Sequence, residues 1–116
     1  MPKLLSHPKV WKEVCEGNSG LRGRLKAHLD RLEADQVERL RIEKVNGAPK
    51  LRELKISWDK QEFRFLFFRT TDGHYCLVEF FNKKGRKLPT ARIDSATARM
   101  KDIEFARATP VAAVLH

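Results

Sequence analysis

The apolar positions in the first third of the chain recur with a helical period. The spacing of three and four residues is carried by Leu21, Leu25, Leu29 and Leu32. It predicts an amphipathic helix over residues 20–34. A shorter helix is predicted to begin after Ser6 and to end near residue 16, because Ser6 suits a cap position and Pro8 suits the first turn.

After residue 50 the pattern changes to short runs that are rich in aromatic and branched residues. Three such runs predict β-strands: LRELKIS at 51–57, EFRFLFFRT at 62–70 and HYCLVEFF at 74–81. The Asp-Gly pair before the third run predicts a tight turn, so the last two strands should form an antiparallel hairpin. The second run is apolar on both faces, which indicates a central strand covered from both sides. Residues 35–50 fit a helical turn or an extended piece, and the latter would add a fourth strand.

The C-terminal part of the chain predicts one more helix. Pro89 and Thr90 form a start signal, and an apolar stripe follows at Ile93, Ala96, Met100 and Ile103. The predicted fold is α+β: two N-terminal helices pack on a small antiparallel sheet with a three-strand meander, followed by a C-terminal helix. The length suits one domain over 1–116, with residues 106–116 expected to form a mobile tail.

The composition gives the chain a strong positive charge and argues against several classes of protein. The chain carries 24 basic and 15 acidic residues, a net charge of +9, which predicts an acidic partner such as nucleic acid. It contains no membrane-spanning apolar run and no secretion signal, so a cytoplasmic protein without a membrane partner is expected. Cys15 and Cys76 are interpreted as free thiols, with a disulfide as the alternative. The four histidines are scattered, so no metal site and no cofactor are predicted.

The positive charge is concentrated around the start of the last helix. Seven basic residues against one acidic residue, Asp94, give residues 83–101 a net charge of +6. The seven are Lys83, Lys84, Arg86, Lys87, Arg92, Arg99 and Lys101. Charge this concentrated predicts an anion-binding surface more strongly than a high isoelectric point does. A basic loop at the end of a hairpin can also be simply solvated, and that alternative stays open.

Two basic residues of the predicted sheet are placed to join this cluster. Lys55 lies in the first strand of the meander, and Arg64 alternates with apolar residues in the second. A buried arginine without partners would be costly, so Arg64 should reach a sheet end or a groove, or pair with Glu53 or Glu79. In a meander, Lys55, Arg64 and the loop that begins at Lys83 would form one concave basic surface.

The motifs of common enzyme families are absent from the sequence. There is no GxSxG, no HExxH and no GxxxxGK[ST]. Neither cysteine has a recognisable partner base, and His74 lies in a predicted turn. From these residues alone, plain nucleic-acid binding is better supported than catalysis.

The order of these pieces resembles the RelE/HigB-type toxins of bacterial toxin–antitoxin pairs, in particular their phage-derived HigB-like branch. The matching pattern is an L-x-E-L-[RK] strand, an aromatic-Arg strand, an F-x-K-K loop, a proline and an Ile-x-x-A-x-x-R helix. Over residues 40–103 the matching residues are Leu51, Glu53, Leu54, Lys55, Phe63, Arg64, Phe81, Lys83, Lys84, Pro89, Ile93, Ala96 and Arg99. The resemblance implies a RelE-like fold of the microbial ribonuclease type.

The resemblance further implies a ribosome-dependent mRNA endoribonuclease that inhibits translation and needs no metal. In such toxins the ribose 2′-OH attacks the neighbouring phosphate. The catalytic residues would be Lys55, Arg64, Lys83, Lys84 and Arg86. Lys55 would lie near the scissile phosphate as a cation or proton acceptor, Arg64 would stabilise the transition state, and the loop would hold phosphate. Contacts to RNA and the ribosome are expected from Lys87, Arg92, Arg99 and Arg69.

The resemblance also implies partners and leaves one role open. The partners would be a cognate antitoxin, often a helix-turn-helix protein, the ribosome and mRNA, with operator DNA reached only through the antitoxin. Some members use a C-terminal Tyr or His in proton transfer, and this chain has neither between Lys83 and Pro110, so the base stays open. The alternatives are a ParE-like gyrase-inhibiting toxin of the same fold and a non-catalytic nucleic-acid-binding domain.

Overall fold

A computed structural model describes residues 2–115, which form three α-helices and a six-stranded sheet. In chain order the elements are β1 (Leu4–Ser6), α1 (Pro8–Cys15), α2 (Ser19–Glu33), β2 (Arg41–Val45), β3 (Ala48–Trp58), β4 (Gln61–Arg69), β5 (Tyr75–Asn82), α3 (Thr90–Glu104) and β6 (Val111–Ala112). The strand order is β2-β3-β4-β5-β1-β6. Strand β1 runs parallel to β5, and the other neighbours are antiparallel. Within residues 2–115, no helix is long and apolar enough to cross a membrane.

The predicted α+β class and the three-strand meander are confirmed, but the sheet is larger and mixed. The ambiguous segment before residue 50 supplies β2, and two short strands extend the other edge. Strands of two or three residues are too short to show a period in the sequence. The terminal segment, for which a tail was expected, pairs through β6 with β1 and buries Ala113 and Leu115.

The sheet is covered on both faces, as the apolar pattern of its central strand predicts. Phe63, Phe65 and Phe67 pack with the buried residues of α1 and α2. Leu66 and Phe68 point to the other face and pack in the cluster that includes buried residues of α3. Because successive side chains of a strand alternate between faces, β4 fills two cores at once. The fold therefore has an α1/α2 face and an α3 face.

The first helix has a different cap from the one predicted. Ser6 belongs to β1, and His7 caps α1 through Nδ1, which accepts a hydrogen bond from the backbone N–H of Lys9 at 3.2 Å. Burial is the main cause that lowers the pKa of His7. The lowered pKa favours the neutral imidazole, which alone has a free ring nitrogen to accept this bond.

The two cysteines are both free thiols, as predicted, and they differ sharply in accessibility. Cys15 is exposed at the end of α1, whereas Cys76 is buried in β5. Burial raises the pKa of the Cys76 thiol to about 12, so the reactive thiolate is suppressed there. Native protein at pH 8 is therefore expected to release one equivalent from a disulfide reagent such as DTNB, and guanidinium-unfolded protein two.

Serine variants show which cysteine releases each equivalent of the disulfide reagent. Cys15→Ser should abolish the native reaction, and Cys76→Ser should leave it unchanged. Equal reaction rates of both thiols in the native state would contradict the burial of Cys76.

Candidate nucleic-acid interface

A tight turn sets the register that brings the predicted sheet cations together. Asp59 and Lys60, the only residues between β3 and β4, both have positive φ, 50° and 59°. Two such residues form the turn that suits the twist of a hairpin. The strands predicted at 51–57 and 62–70 left a longer connection between them. The resulting register places Lys55 directly opposite Arg64, with both side chains on the α3 face.

A basic cavity of about 430 Å³ lies on this face, between β2, β3 and the loop that follows β5. Its charged lining consists of Lys44, Lys55, Lys83, Arg86 and Lys87 together with Glu43 and Glu53. Strand alternation directs the side chain of Lys44 to the opposite face of β2, so four cations against two carboxylates leave an excess of two positive charges. A concave surface of one dominant sign concentrates the electric field and attracts anions. We call this site the basic cavity.

The sheet lysine of the cavity is held by a carboxylate. Lys55 Nζ lies 2.8 Å from Glu43 Oε1, with the lysine side chain 16% exposed and the glutamate 62%. The hydrogen bond and the charge of Lys55 lower the pKa of Glu43, and the nearby charge of Lys83 adds to the shift. Because an ammonium has three N–H donors, Lys55 can contact a phosphate while it stays paired with Glu43, but the charge of Glu43 weakens that contact.

Arg64 lies beneath the cavity rather than in its wall. Its Nε donates to Glu53 Oε2 at 2.9 Å and its Nη1 to the Phe63 carbonyl at 2.9 Å, while Nη2 lies 3.4 Å from Glu62 Oε1. The side chains of Arg64 and Glu53 are only 5% and 7% exposed. The ion pair with Glu53, kept open as an alternative above, is thus confirmed. In this position Arg64 orients Glu53, which does line the cavity.

The loop after β5 carries cations without an intramolecular partner. The backbone N–H of Lys83 donates to the Glu62 carbonyl at 2.7 Å, which extends the hairpin ladder, and Gly85 turns the chain with a φ of 88°. Lys83, Arg86 and Lys87 line the cavity, and Lys84 does not. Across the described part of the chain, none of these four side chains forms an ion pair.

The three arginines predicted to contact RNA lie in different places. Arg99 and Arg92 bind the buried carboxylate of Glu79, at 2.7 and 3.6 Å, and so attach α3 to β5. Arg92 also lies over the Phe81 ring, 5.0 Å from its centroid. Arg69 is at the far end of β4, over the ring of Tyr75 at 5.1 Å. The basic cavity therefore includes Lys87 but none of these arginines.

Two lining residues of the cavity were missed by sequence reasoning. Glu43 and Lys44 lie in β2, within the segment whose conformation the sequence left undecided. The alternation R-I-E-K-V was the available signal, since a strand would place Glu43 on one face and its neighbours on the other. Among residues 2–115, no group of three or more His, Cys, Asp or Glu side chains is arranged to hold a metal ion.

Comparison with known proteins gives one family. The sequence model of the family described as phage derived protein Gp49-like (DUF891) matches residues 18–101. No curated protein and no solved structure matches the chain significantly. The matched segment runs from α2 through most of α3 and contains all the side chains of the basic cavity. The chain therefore belongs to the phage-derived Gp49-like family.

Proposed function

We propose that this protein is the toxin of a toxin–antitoxin pair and that it cleaves mRNA on the ribosome. The Gp49-like family is associated with such toxins. The observation that carries the proposal is the convergence of Lys55 from β3 with Lys83, Arg86 and Lys87 from the following loop around one cavity. Cations on separate elements that face one volume are suited to neutralising a phosphate from several sides.

The proposed reaction needs no group beyond the RNA and the cavity. The ribose 2′-oxygen attacks the neighbouring phosphorus, the bond to the 5′-oxygen breaks, and the products are a 2′,3′-cyclic phosphate and a 5′-hydroxyl end. Lys83, Arg86 and Lys87 stabilise the negative charge of the phosphorane. A well-placed donor to such developing charge contributes about 3 kcal/mol.

Glu43 is our choice for the proton acceptor, the role that the sequence left open. Its carboxylate lies at the cavity beside Lys55, where it can take the 2′-OH proton while Lys55 holds the phosphate. Glu43 is ionised at neutral pH and able to accept a proton, and the lowered pKa that Lys55 gives it makes it a weaker base than an isolated carboxylate. Lys83 donates the proton that converts the leaving 5′-oxygen to a hydroxyl and recovers one from solvent, while Arg86 stays charged and stabilises the phosphorane.

The deciding experiment maps mRNA 5′ ends in a translating extract with and without purified protein. Ribosome-dependent cuts that keep the phase of the codons are expected. Cuts that also occur on free RNA would refute ribosome dependence. DNA damage without mRNA cuts would instead favour the gyrase-inhibiting alternative, and binding without either effect would favour the non-catalytic one.

Glu43→Gln separates RNA binding from proton transfer. Removing one negative charge beside Lys55 is expected to tighten binding of single-stranded RNA by about fivefold at low salt. Losing the acceptor is expected to slow cleavage by about 100-fold or more. Fluorescence anisotropy with a labelled RNA and end-mapping rates measure the two effects.

Glu13→Gln in α1 is the matched control, because it makes the same charge change on an exposed residue away from the cavity. Unchanged cleavage by Glu43→Gln would exclude Glu43 as the proton acceptor, and weaker RNA binding would show that its charge does not oppose the phosphate.

A further inference from the structure

A second concave surface lies on the other side of the β2–β3 hairpin from the basic cavity. This groove has a volume of about 660 Å³. Its apolar lining residues are Val37, Leu40, Ile42, Pro49, Phe67 and Tyr75. Val37 is 41% exposed, although it is a large hydrophobic residue at the start of the turn that leads into β2. We call this surface the apolar groove.

Two arginines border the apolar groove without a carboxylate partner. Arg52 donates through Nη1 to the carbonyls of Pro49 and Leu51, at 2.8 and 3.0 Å. Arg69 lies over the Tyr75 ring. Neither forms an ion pair anywhere in residues 2–115, in contrast to Arg64 and Arg99 of the α3 face. The groove thus combines apolar walls with two positive charges that are free to bind acidic groups.

The groove continues around the end of the sheet. A neighbouring depression shares Lys50, Thr71 and Glu104 with it and reaches Phe105, which is 69% exposed. Lys50 and Glu104 form an ion pair of 3.2 Å at this shared rim. A continuous surface of this kind has room for several side chains of an extended or helical segment.

The two faces of the sheet separate the apolar groove from the basic cavity, although both surfaces reach the β2–β3 hairpin, where Lys44 pairs with Arg52. Arg52 pairs with Phe67 and Arg69 with Tyr75, whereas Lys55 pairs with Arg64 toward the other end of the hairpin. Phe67 and Tyr75 belong to the core on the α1/α2 face, while the basic cavity opens on the α3 face. A molecule in the groove can therefore leave the cavity accessible.

We propose that the apolar groove is the docking site of the antitoxin and that docking leaves the basic cavity open. The inference rests on the proposed function, which supplies this partner. The docked segment would pack apolar side chains against Ile42 of β2 and Phe67 of β4, across β3, and would bring carboxylates to Arg52 and Arg69. The charge of the two arginines favours an acidic amphipathic segment over a neutral or basic one.

A small probe tests the chemistry of the groove without the partner. 8-Anilinonaphthalene-1-sulfonate combines aromatic rings with an anionic group. It is expected to bind the native protein with about tenfold lower affinity in Arg52→Glu, and with little change in Lys83→Glu. A larger loss in Lys83→Glu than in Arg52→Glu would overturn the assignment.

Co-expression tests the partner itself. The chain is expressed with the product of whichever reading frame adjoins its gene, as the candidate partner, and the affinity of the two is measured for Val37→Glu, Arg52→Glu and the cavity variant Lys83→Glu. The two groove variants are expected to bind the partner about 100-fold more weakly and to keep RNA cleavage. Lys83→Glu is expected to bind the partner with unchanged affinity. The wild-type complex should still bind a labelled single-stranded RNA. Thermal melts exclude unfolded variants.

The failures of the two proposals are distinguishable. The docking proposal fails if the groove variants bind normally, if Lys83→Glu loses the partner, or if the complex no longer binds RNA, whereas absence of any complex would overturn the toxin–antitoxin assignment on which it rests. If the partner behaves as expected but wild-type protein never cuts mRNA, the nuclease proposal fails and the docking site stands.

Discussion

Replacing Glu53 by alanine is expected to lower the free energy of unfolding by about 3–5 kcal/mol. The change leaves the guanidinium of Arg64 buried and without the carboxylate that lies 2.9 Å from its Nε. Domains of this size have total stabilities of about 5–15 kcal/mol, so the variant should approach the limit of folding. Urea unfolding followed by circular dichroism measures the effect as a lower midpoint with an unchanged slope.

Glu43→Ala is the matched control for this prediction. Glu43 lies directly opposite Glu53 in the neighbouring strand and also pairs with a basic residue, but its side chain is 62% exposed. Its unfolding midpoint should stay close to that of the wild type, because exposed ion pairs contribute little. If both variants were destabilised equally, burial would not be what makes the Glu53–Arg64 pair important.

A double variant separates stability from any catalytic role of Arg64. Glu53→Leu with Arg64→Met removes both charges, so it should be more stable than either single variant. Arg64→Ala alone would be expected to lose activity simply by unfolding. A folded double variant that still cuts mRNA would exclude Arg64 as the cation that stabilises the transition state. A folded double variant that binds but does not cut would support the role implied by the family resemblance.

Replacing Lys55 by alanine is expected to reduce mRNA cleavage by about 100-fold. Lys55 is the sheet cation that faces the basic cavity, and its only ion-pair partner in residues 2–115 is the exposed Glu43. Its removal therefore eliminates a positive charge from the proposed phosphate site without leaving a buried charge behind. Single-turnover end mapping in a translating extract measures the rate, and urea unfolding should be nearly unchanged.

Salt dependence checks whether Lys55 contacts phosphate. For single-stranded RNA, loss of one phosphate contact lowers the slope of log affinity against log salt by about 0.7. Lys12→Ala is the control, because it removes the same charge from the exposed side of α1, away from the basic cavity. Full cleavage by Lys55→Ala, or an equal loss in Lys12→Ala, would refute a specific role for Lys55 in the reaction.

Residue periodicity explains why the main elements could be predicted. The four leucines predicted to line one face of α2 are all buried, and the segments predicted as meander strands became β3, β4 and β5. The conformation of the segment that forms β2 could not be predicted, because five residues of mixed polarity fit more than one conformation. The parallel pairing of β1 with β5 joins residues about seventy positions apart, so no local sequence pattern predicts it.

The candidate site was predictable in its composition and less so in its arrangement. The clustering of Lys83, Arg86 and Lys87 near Lys55 follows from the meander, and the structure brings these four to one cavity. The partner of each charge depends on register and on helix docking. Arg99 meets Glu79 across twenty residues of sequence, and Arg64 meets Glu53 across the β3–β4 hairpin.

By itself, the sequence determined the helices, the meander and the concentration of positive charge, because periodicity and local composition are properties of neighbouring residues. Only the tertiary structure decided which cations are neutralised and which stay free. Arg64, Arg92 and Arg99 bind carboxylates of the sheet, whereas Lys83, Arg86 and Lys87 face a cavity. The physical reason is that a buried charge must find a partner wherever the packed chain supplies one, while a charge on an open concave surface remains available to a ligand.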